Sequence, residues 1–473
     1  MAILPELVLT AGAFFYFVVS LFKAFDLSMQ RKSTVVIALL VFLTSCLTYT
    51  QEATLFYSSY VVDSYSQLFK LLISFAFLVV TLLGQQLKGI SDEVRPEYTM
   101  FLTISVLGLM MLVSSVELIA IFISLELSSF ALYLLVAMRD DRTGVRIGLE
   151  AGIKYILFGV MATGFLLYGM SYLFGLTGST YLAEIVPALH GLSGQPAVLI
   201  ALLLVLAGFF YKLAVFPMHF WVPDIYEGAS NETTSFIATV PKIGAVALLI
   251  RFMTLPTGHP EFLVQLLGVV AVCSMFYGNL SALVQTDIKR MLGFSGISHA
   301  GFVMLGLLAM GPEGYGLAVY YISGYVVMNL ACFLVICQLS KEGENVLIAD
   351  FAGLHKRQPV LAIILAVGLF ALAGIPPFVG FMGKFFLLTS ALKHGQLVIV
   401  ILAAINTAIA IYYYLSVVKT AYTDEPAADN SSPVLVDQPT KAAGIALVVM
   451  IILMGALPSK LIATAGSIVQ TIM

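Results

Sequence analysis

Apolar runs of about 17–25 residues, the length that crosses a bilayer as a helix, recur from one end of this chain to the other and dominate what it can become. Within hydrocarbon every backbone N–H and C=O needs a partner inside the protein, so such runs form helices rather than open strands. They lie near 4–22, 34–50, 65–84, 99–115, 117–137, 151–175, 197–221, 233–254, 262–284, 288–310, 315–340, 360–392, 396–418 and 442–466, about 14 crossings at the usual span length. The 99–137 stretch divides at a tight turn near Ser114 and Ser115. Only 10% of the 473 residues are charged, against about 25% in soluble domains, and mean hydropathy is +1.02. The chain is expected to be an all-α, polytopic membrane protein. Its first run follows Pro5 and Glu6 rather than a basic segment, so it reads as a retained helix and not as a signal peptide.

Parity of the crossings sets orientation. With the N-terminus outside, the inner loops hold Lys23, Arg31, Lys32, Lys88, Arg95, Arg139, Arg142, Arg146, Lys289, Arg290, Lys341, Lys356, Arg357, Lys419 and Lys441. The outer side then holds only Arg251, Lys393 and Lys460. This is a strong positive-inside bias with both termini outside, and one miscounted helix would scramble it. The largest polar segment is the loop at 420–441. The sequence shows no extramembrane domain, no nucleotide-binding motif, and no cysteine or histidine cluster with metal or haem spacing. Cys46, Cys273, Cys332 and Cys337 all sit in apolar runs and read as packing residues.

Charges inside the apolar runs carry the chemistry. Lys212 stands five residues before Pro217 in a run from Ala207 to Trp221. A charge at the bilayer centre costs about 2.5–3.5 kcal/mol on insertion scales, so such a residue has a partner and a task. The proline removes a backbone donor and breaks the helix beside it. Lys384 repeats the arrangement after Pro376, Pro377 and several glycines, where an interrupted helix exposes carbonyls and makes room for water. Lys70, Lys154 and Lys242 also fall inside runs, as do Glu117 and Glu126. A lysine removed from water releases its proton more readily, which suits a relay.

These residues differ in weight. Glu117 and Glu126 are nine apart, on opposite faces of a straight helix at about 100° per residue. Glu126 lies deep in its run and is the expected partner of Lys212, whereas Glu117 reads as an interface carboxylate. Glu150 and Lys154 have the favourable i,i+4 order, either as a local ion pair or with Lys154 as a relay member. Lys242 follows Pro241 in mid-helix, too deep to snorkel. Lys70 is open between relay and structural pairing. His299 is of the residue type whose free side chain titrates near neutrality, which suits bridging lysines in a water chain; the other reading is a hydrogen-bonded core residue. His219 reads as packing at the helix break, and Asp224, Glu227 and Glu232 as inner-loop caps or solvated charges.

The two proline-broken runs, the seventh and twelfth, are five runs apart, and an odd offset reverses direction through the membrane. Interrupted helices at corresponding places point to an inverted repeat with ion sites near the midplane. The expected organisation is a three-helix segment at 1–98, a first repeat at 99–254, a second inverted repeat at 255–422, and a loop with a last helix at 423–473.

The stretch Lys212-Leu-Ala-Val-Phe-Pro-Met-His-Phe-Trp-Val-Pro-Asp224 resembles the central motif of the proton-translocating, antiporter-like subunits of respiratory complex I, which multisubunit Na+/H+ antiporters share. The resemblance spans nearly the whole chain, including Gln285 to Phe302 and Leu372 to Phe385. Glu150 to Tyr155, Tyr412 to Leu415 and the short N-terminus from Leu4 are similar to the subunit N type, the counterpart of mitochondrial subunit 2. Lysine at 384 departs from the M type, and an end soon after the last run departs from the L type. The resemblance implies relay roles for Glu126, Lys154, Lys212, Lys242, His299 and Lys384. Tyr226 to Thr234 lacks the family's common Ala-Pro pair, which puts the conformation of that loop in doubt.

The resemblance further implies a translocase subunit of a proton-pumping NADH–quinone oxidoreductase, with no redox centre, cofactor or metal of its own. NADH, FMN, iron–sulfur clusters and quinone belong elsewhere in the complex. Its partners are other membrane subunits and the lipid bilayer, with no nucleic acid. Its place is the bacterial inner membrane, both termini periplasmic. The alternative is a subunit of a multisubunit Na+/H+ antiporter.

Overall fold

The computed structural model describes residues 1–22, 26–84, 86–140, 147–192, 195–253, 260–426 and 432–473. Lys23, Arg142, Arg146 and the expected repeat boundary at 254–255 lie outside them. Helices α1 (Leu4–Phe22) and α2 (Leu27–Leu47) precede a short antiparallel hairpin, β1 (Ala53–Leu55) and β2 (Tyr60–Val62). Then come α3 (Ser64–Leu83), α4 (Arg95–Ser114), α5 (Leu118–Ala137), α6 (Ile147–Thr177), α7 (Leu182–His190), α8 (Pro196–Leu213), α9 (Val222–Gly228) and α10 (Asn231–Met253). The rest are α11 (Pro260–Ala282), α12 (Ile288–Leu307), α13 (Pro312–Leu339), α14 (Leu354–Arg357), α15 (Pro359–Ala373), α16 (Val379–Lys393), α17 (Leu397–Thr423), α18 (Gln438–Ala456) and α19 (Pro458–Gln470). Among the described residues, 12 helices are long and apolar enough to span a membrane, and Pro359–Ala373 is a shorter apolar helix.

Differences from the sequence reading have local causes. Helix α2 starts at Leu27 rather than near 34, because its first turns are polar and hydropathy marks the bilayer core, not the helix end. The last run divides into α18 and α19 at Pro458, which cannot donate to the preceding turn. The hairpin and α7 belong to loops, where no apolar run announces them. The expected turn is present between α4 and α5, where Glu117 caps α5 by accepting from the Ala120 N–H at 2.7 Å.

The loops gather at two ends of the bundle. At one end Arg139 donates to the Glu227 carbonyl (2.7 Å), Asn345 to the same carbonyl (3.0 Å), Asn231 to the Glu344 carbonyl (3.0 Å) and Lys88 to the Ser340 carbonyl (2.6 Å). At the other end Val116 donates to Ser59 (3.0 Å), Leu118 to Thr180 (2.9 Å) and Arg251 to Asp63 (3.1 Å). Loops that the parity reading puts on the same side therefore contact one another.

Without a water-driven force between helices, close packing and small residues hold a membrane bundle together. A Cβ on Gly108 of α4 would lie 2.8 Å from the Ser124 carbonyl oxygen and 2.6 Å from the Ser128 nitrogen of α5. A Cβ on Gly278 of α11 would lie 2.5 Å from the Phe294 carbonyl oxygen and 2.7 Å from the Ser298 nitrogen of α12. The same i,i+4 backbone contact thus recurs in two helix pairs. Matching Ser128 with Ser298 puts Ser129 opposite His299.

Candidate functional site

Two broken helices organise the interior. Helix α8 ends with Ala214 in the left-handed region (φ 67), its N–H on the Tyr211 carbonyl and the Val215 N–H on the Phe210 carbonyl. Helix α15 ends the same way at Gly374 (φ 87), with N–H bonds to Ala371 and from Ile375 to Phe370. Both are Schellman ends, and a proline follows each within three residues. Aligning the caps superposes Pro217 on Pro377. Trp221 ties the first break shut by donating Nε1–H to the Tyr211 carbonyl at 3.0 Å.

Each break holds an ammonium group. Lys212 lies in the last turn of α8 and donates to Ser129 Oγ at 2.9 Å; Ser129 in turn donates to the Leu125 carbonyl at 2.8 Å. Lys384 lies beyond the second break, on α16, and reaches back to the Leu372 and Ala373 carbonyls at 3.0 and 3.2 Å. Those carbonyls are the otherwise unpaired end of α15. Its ammonium also faces the Phe302 ring, 5.1 Å from the centroid.

Between the breaks runs a line of aromatic and titratable groups. Lys242 on α10 donates to Tyr325 Oη at 3.1 Å and lies 5.0 Å from that ring's centre. The Tyr325 ring packs 5.1 Å from His299. Both nitrogens of His299 are engaged, Nδ1 with Tyr321 Oη at 2.7 Å and Nε2 with Tyr414 Oη at 3.2 Å. Lys212, Lys242, His299 and Lys384 are each at most 5% exposed, so none of them reaches lipid. A Cβ on Gly296 would lie 2.8 Å from both Lys242 Nζ and Tyr325 Oη, so glycine there makes the space in which they meet.

Two expected members are placed differently. Glu126 does not pair with Lys212 directly: it accepts from Thr163 Oγ1 at 2.7 Å, one turn before the serine that holds the lysine. Lys154 stays out of the buried line. It is 39% exposed and bridges Glu150 at 2.9 Å and Asp224 at 2.8 Å. Asp224 also takes Arg290 at 3.2 Å, and Arg290 pairs with Glu227 at 2.5 Å. Burial pushes the Asp224 carboxyl up, but Lys154 and Arg290 outweigh it and hold it below the usual carboxylate range. Lys70 forms a separate buried pair with Glu6 at 2.6 Å, and Tyr60 donates to the same carboxylate oxygen at 2.6 Å. His219 packs at the break as expected, its ring 4.2 Å from Tyr277 and 5.5 Å from Phe216.

The sequence reading missed Tyr321, Tyr325 and Tyr414, which look like ordinary core aromatics in a chain with 22 tyrosines. It counted Lys289 only among the inner-loop cations; Lys289 is fully buried and donates to the Ala229 carbonyl at 2.7 Å. Glu232, read as a cap or solvated charge, is only 4% exposed.

Fold and site together define a polytopic helical membrane protein with buried lysines held at two broken helices. Comparison with known proteins narrows this class. A family model described as "NADH:quinone oxidoreductase/Mrp antiporter, TM" matches residues 115–410. The NADH-quinone oxidoreductase subunit N 2 of Opitutus terrae is 52% identical over 456 residues, covering 96% of this chain and 95% of that one. The protein of the same name in Syntrophobacter fumaroxidans is 41% identical over 475 residues, covering 100% and 99%. A chain of respiratory complex I from Thermus thermophilus with bound aureothin superposes with a TM-score of 0.83 at 28% identity, covering 98% of this chain and 99% of that one. A chain of the Mrp complex from a Dietzia species superposes with a TM-score of 0.87, covering 100% and 97%, but at 20% identity it shares the fold alone. The chain belongs to the NADH:quinone oxidoreductase/Mrp antiporter transmembrane family.

Proposed function

We propose that this chain is a membrane subunit of a proton-pumping NADH–quinone oxidoreductase and moves protons along Lys212, Lys242, His299 and Lys384. The observation that carries this reading is the buried line in which Lys242 hydrogen-bonds Tyr325, the Tyr325 ring packs on His299, His299 bonds Tyr321 and Tyr414, and Lys384 stands at the second break. Protons exchange readily among amines, phenols and imidazole when these are positioned within hydrogen-bond reach or bridged by water. Glu126, on the turn before Ser129, modulates the charge on Lys212. Lys384 connects the line to the outer side. Lys154, set among Glu150, Asp224 and Arg290, gathers charge at the inner end rather than relaying within the core. The driving energy comes from quinone reduction in other subunits, where NADH, FMN, iron–sulfur clusters and quinone are held, so this translocase subunit carries no redox centre.

The paired glycine contacts and paired caps support two inverted units, at 99–254 and 255–422, flanked by 1–98 and 423–473. The charge bias supports a bacterial inner-membrane location with periplasmic termini. The test is Lys212→Ala in the assembled complex, with quinone reduction and pumping measured together. Loss of both fits a coupled relay. Normal redox activity and pumping with altered sodium tolerance would instead favour a multisubunit Na+/H+ antiporter. Lys384→Ala is expected to abolish pumping and leave assembly intact.

A further inference from the structure

Glu232 stands in the first turn of α10, and its surroundings are unlike those of a capping residue. Its Oε1 accepts the Lys88 N–H at 3.1 Å, while its buried Oε2 has no hydrogen-bond partner. It lines a cavity of about 30 Å³ between α2, α3, α4 and α10, together with Gln30, Arg31, Arg95 and Tyr98. Gln30 Nε2 and Arg95 Nε and Nη1 are likewise buried and unpartnered. A space of this size, with several unsatisfied donors and one acceptor on its wall, is suited to hold water.

From this cavity a polar stripe runs along α10. Glu232, Ser235, Thr239 and Lys242 are spaced three, four and three residues apart, on one helix face. Ser235 and Thr239 are fully buried, and Lys242 is 1% exposed. Ser235 donates to the Glu232 carbonyl at 2.7 Å and Thr239 to the Ser235 carbonyl at 2.6 Å, so each hydroxyl oxygen remains an acceptor. The whole stripe covers about 15 Å at 1.5 Å per residue.

We infer that Glu232 takes up protons from the aqueous side at the inner end and loads Lys242 through water along this stripe. In each transfer the Glu232 carboxyl gives up its proton, Lys242 becomes the ammonium, and the carboxylate regains a proton from the aqueous side, passed on through water in the cavity. The charged and titratable groups around Glu232 are Arg31 from α2, Arg95 and Tyr98 from α4, Lys88 from the preceding loop, Lys289 from α12 and Cys337 from α13. The side-chain ammonium groups of Lys88 and Lys289 are turned onto the Ser340 and Ala229 carbonyls, which leaves the arginines as the cations that face the cavity. The inference rests on the reading of Lys242 as a relay lysine.

The test is Glu232→Gln in the intact complex in inverted vesicles, with quinone reduction and proton pumping measured together. Pumping should fall about tenfold, less than the 10²–10⁴ of a fully enclosed proton-transfer group because water offers a bypass. Acidifying the side from which protons are taken should restore part of it, and Glu232→Asp should pump near the wild-type rate. Normal pumping by Glu232→Gln overturns the inference, as does a loss that Glu232→Asp shares. If Glu232→Gln does not assemble, Thr239→Val decides alone: slowed pumping supports the stripe and unchanged pumping overturns it. Lys242→Met separates the two levels. If it too pumps normally the relay reading itself fails; if it abolishes pumping while Glu232→Gln is silent, only this inference fails.

Discussion

Replacing Tyr325 with phenylalanine removes one oxygen from the buried line and leaves its packing intact. In the structure Lys242 Nζ has the phenol oxygen at 3.1 Å as its hydrogen-bond acceptor and the ring centre at 5.0 Å as a second, weaker contact. A hydrogen bond to a charged group contributes about 1.5–3 kcal/mol, whereas the ring-face attraction, about 0.5–2 kcal/mol, survives in phenylalanine. The ammonium form of Lys242 therefore loses about 1.5–3 kcal/mol, a factor of about 10–150 at 1.4 kcal/mol per decade. If passage through Lys242 limits pumping, the pumping rate, and the quinone reduction coupled to it, should fall by at least the lower end of that range. The assay compares pH-dye quenching with the quinone-reduction rate in the same vesicles, after a native gel has confirmed assembly. Tyr325→Phe pumping at the wild-type rate would show that Lys242 works without its phenol and would refute the line as drawn.

Two further outcomes follow from the packing and the ion cluster at Asp224. Gly278→Ala drives a Cβ to within 2.5 Å of the Phe294 carbonyl oxygen and 2.7 Å of the Ser298 nitrogen. Backbone atoms cannot swing aside, so α11 and α12 must part, at the 1–3 kcal/mol or so of an overpacked core; unchanged thermal stability of the purified complex would contradict this. Asp224 is held below the usual carboxylate range by Lys154 and Arg290, so its stabilisation is present above the ordinary carboxylate value of about 3.9 and fades as pH falls through its lower folded value. The stability gap between wild type and Asp224→Asn should accordingly be constant near neutrality and close under acid, and a gap that widens under acid would reverse the assignment.

Much of the fold could be read from the chain because the bilayer enforces one rule, that backbone groups pair internally, and long apolar runs report it directly. The two breaks were legible for the same reason: proline and glycine inside a run have few explanations. Lys212, Lys242 and Lys384 stood out because charge in hydrocarbon is expensive. What could not be read was partnership. Glu126 looked like the partner of Lys212, but sequence spacing says nothing about rotation between helices, and the structure inserts Ser129 on one side and Thr163 on the other. Lys154 carried the same signal as the relay lysines, yet it lies near one end of its helix, where Asp224 can reach it. Glu232 was misplaced because α10 begins inside a loop that reads as solvated, whereas neighbouring loops fold over it and bury it.

The two lysines at the breaks show why distance from proline was a useful signal and an incomplete one. Lys212 precedes its proline and Lys384 follows its own, so by sequence they are not equivalent. In space the Lys384 ammonium stands where a half-helix ends with its carbonyls unpaired, at the negative end of the helix dipole, whereas the Lys212 ammonium leaves its own helix for Ser129 Oγ on α5. Lys212 starts from the last turn of α8, and Lys384 reaches back from α16 to the end of α15. The second broken helix thus supplies a fixed negative pole in the interior without any carboxylate. Moving the lysine from position 384 onto the last turn of α15, as Leu372→Lys with Lys384→Leu, should therefore restore part of the pumping that Lys384→Leu alone removes. No recovery in an assembled complex would mean that the ammonium's exact approach, and not the pole, is what the break provides.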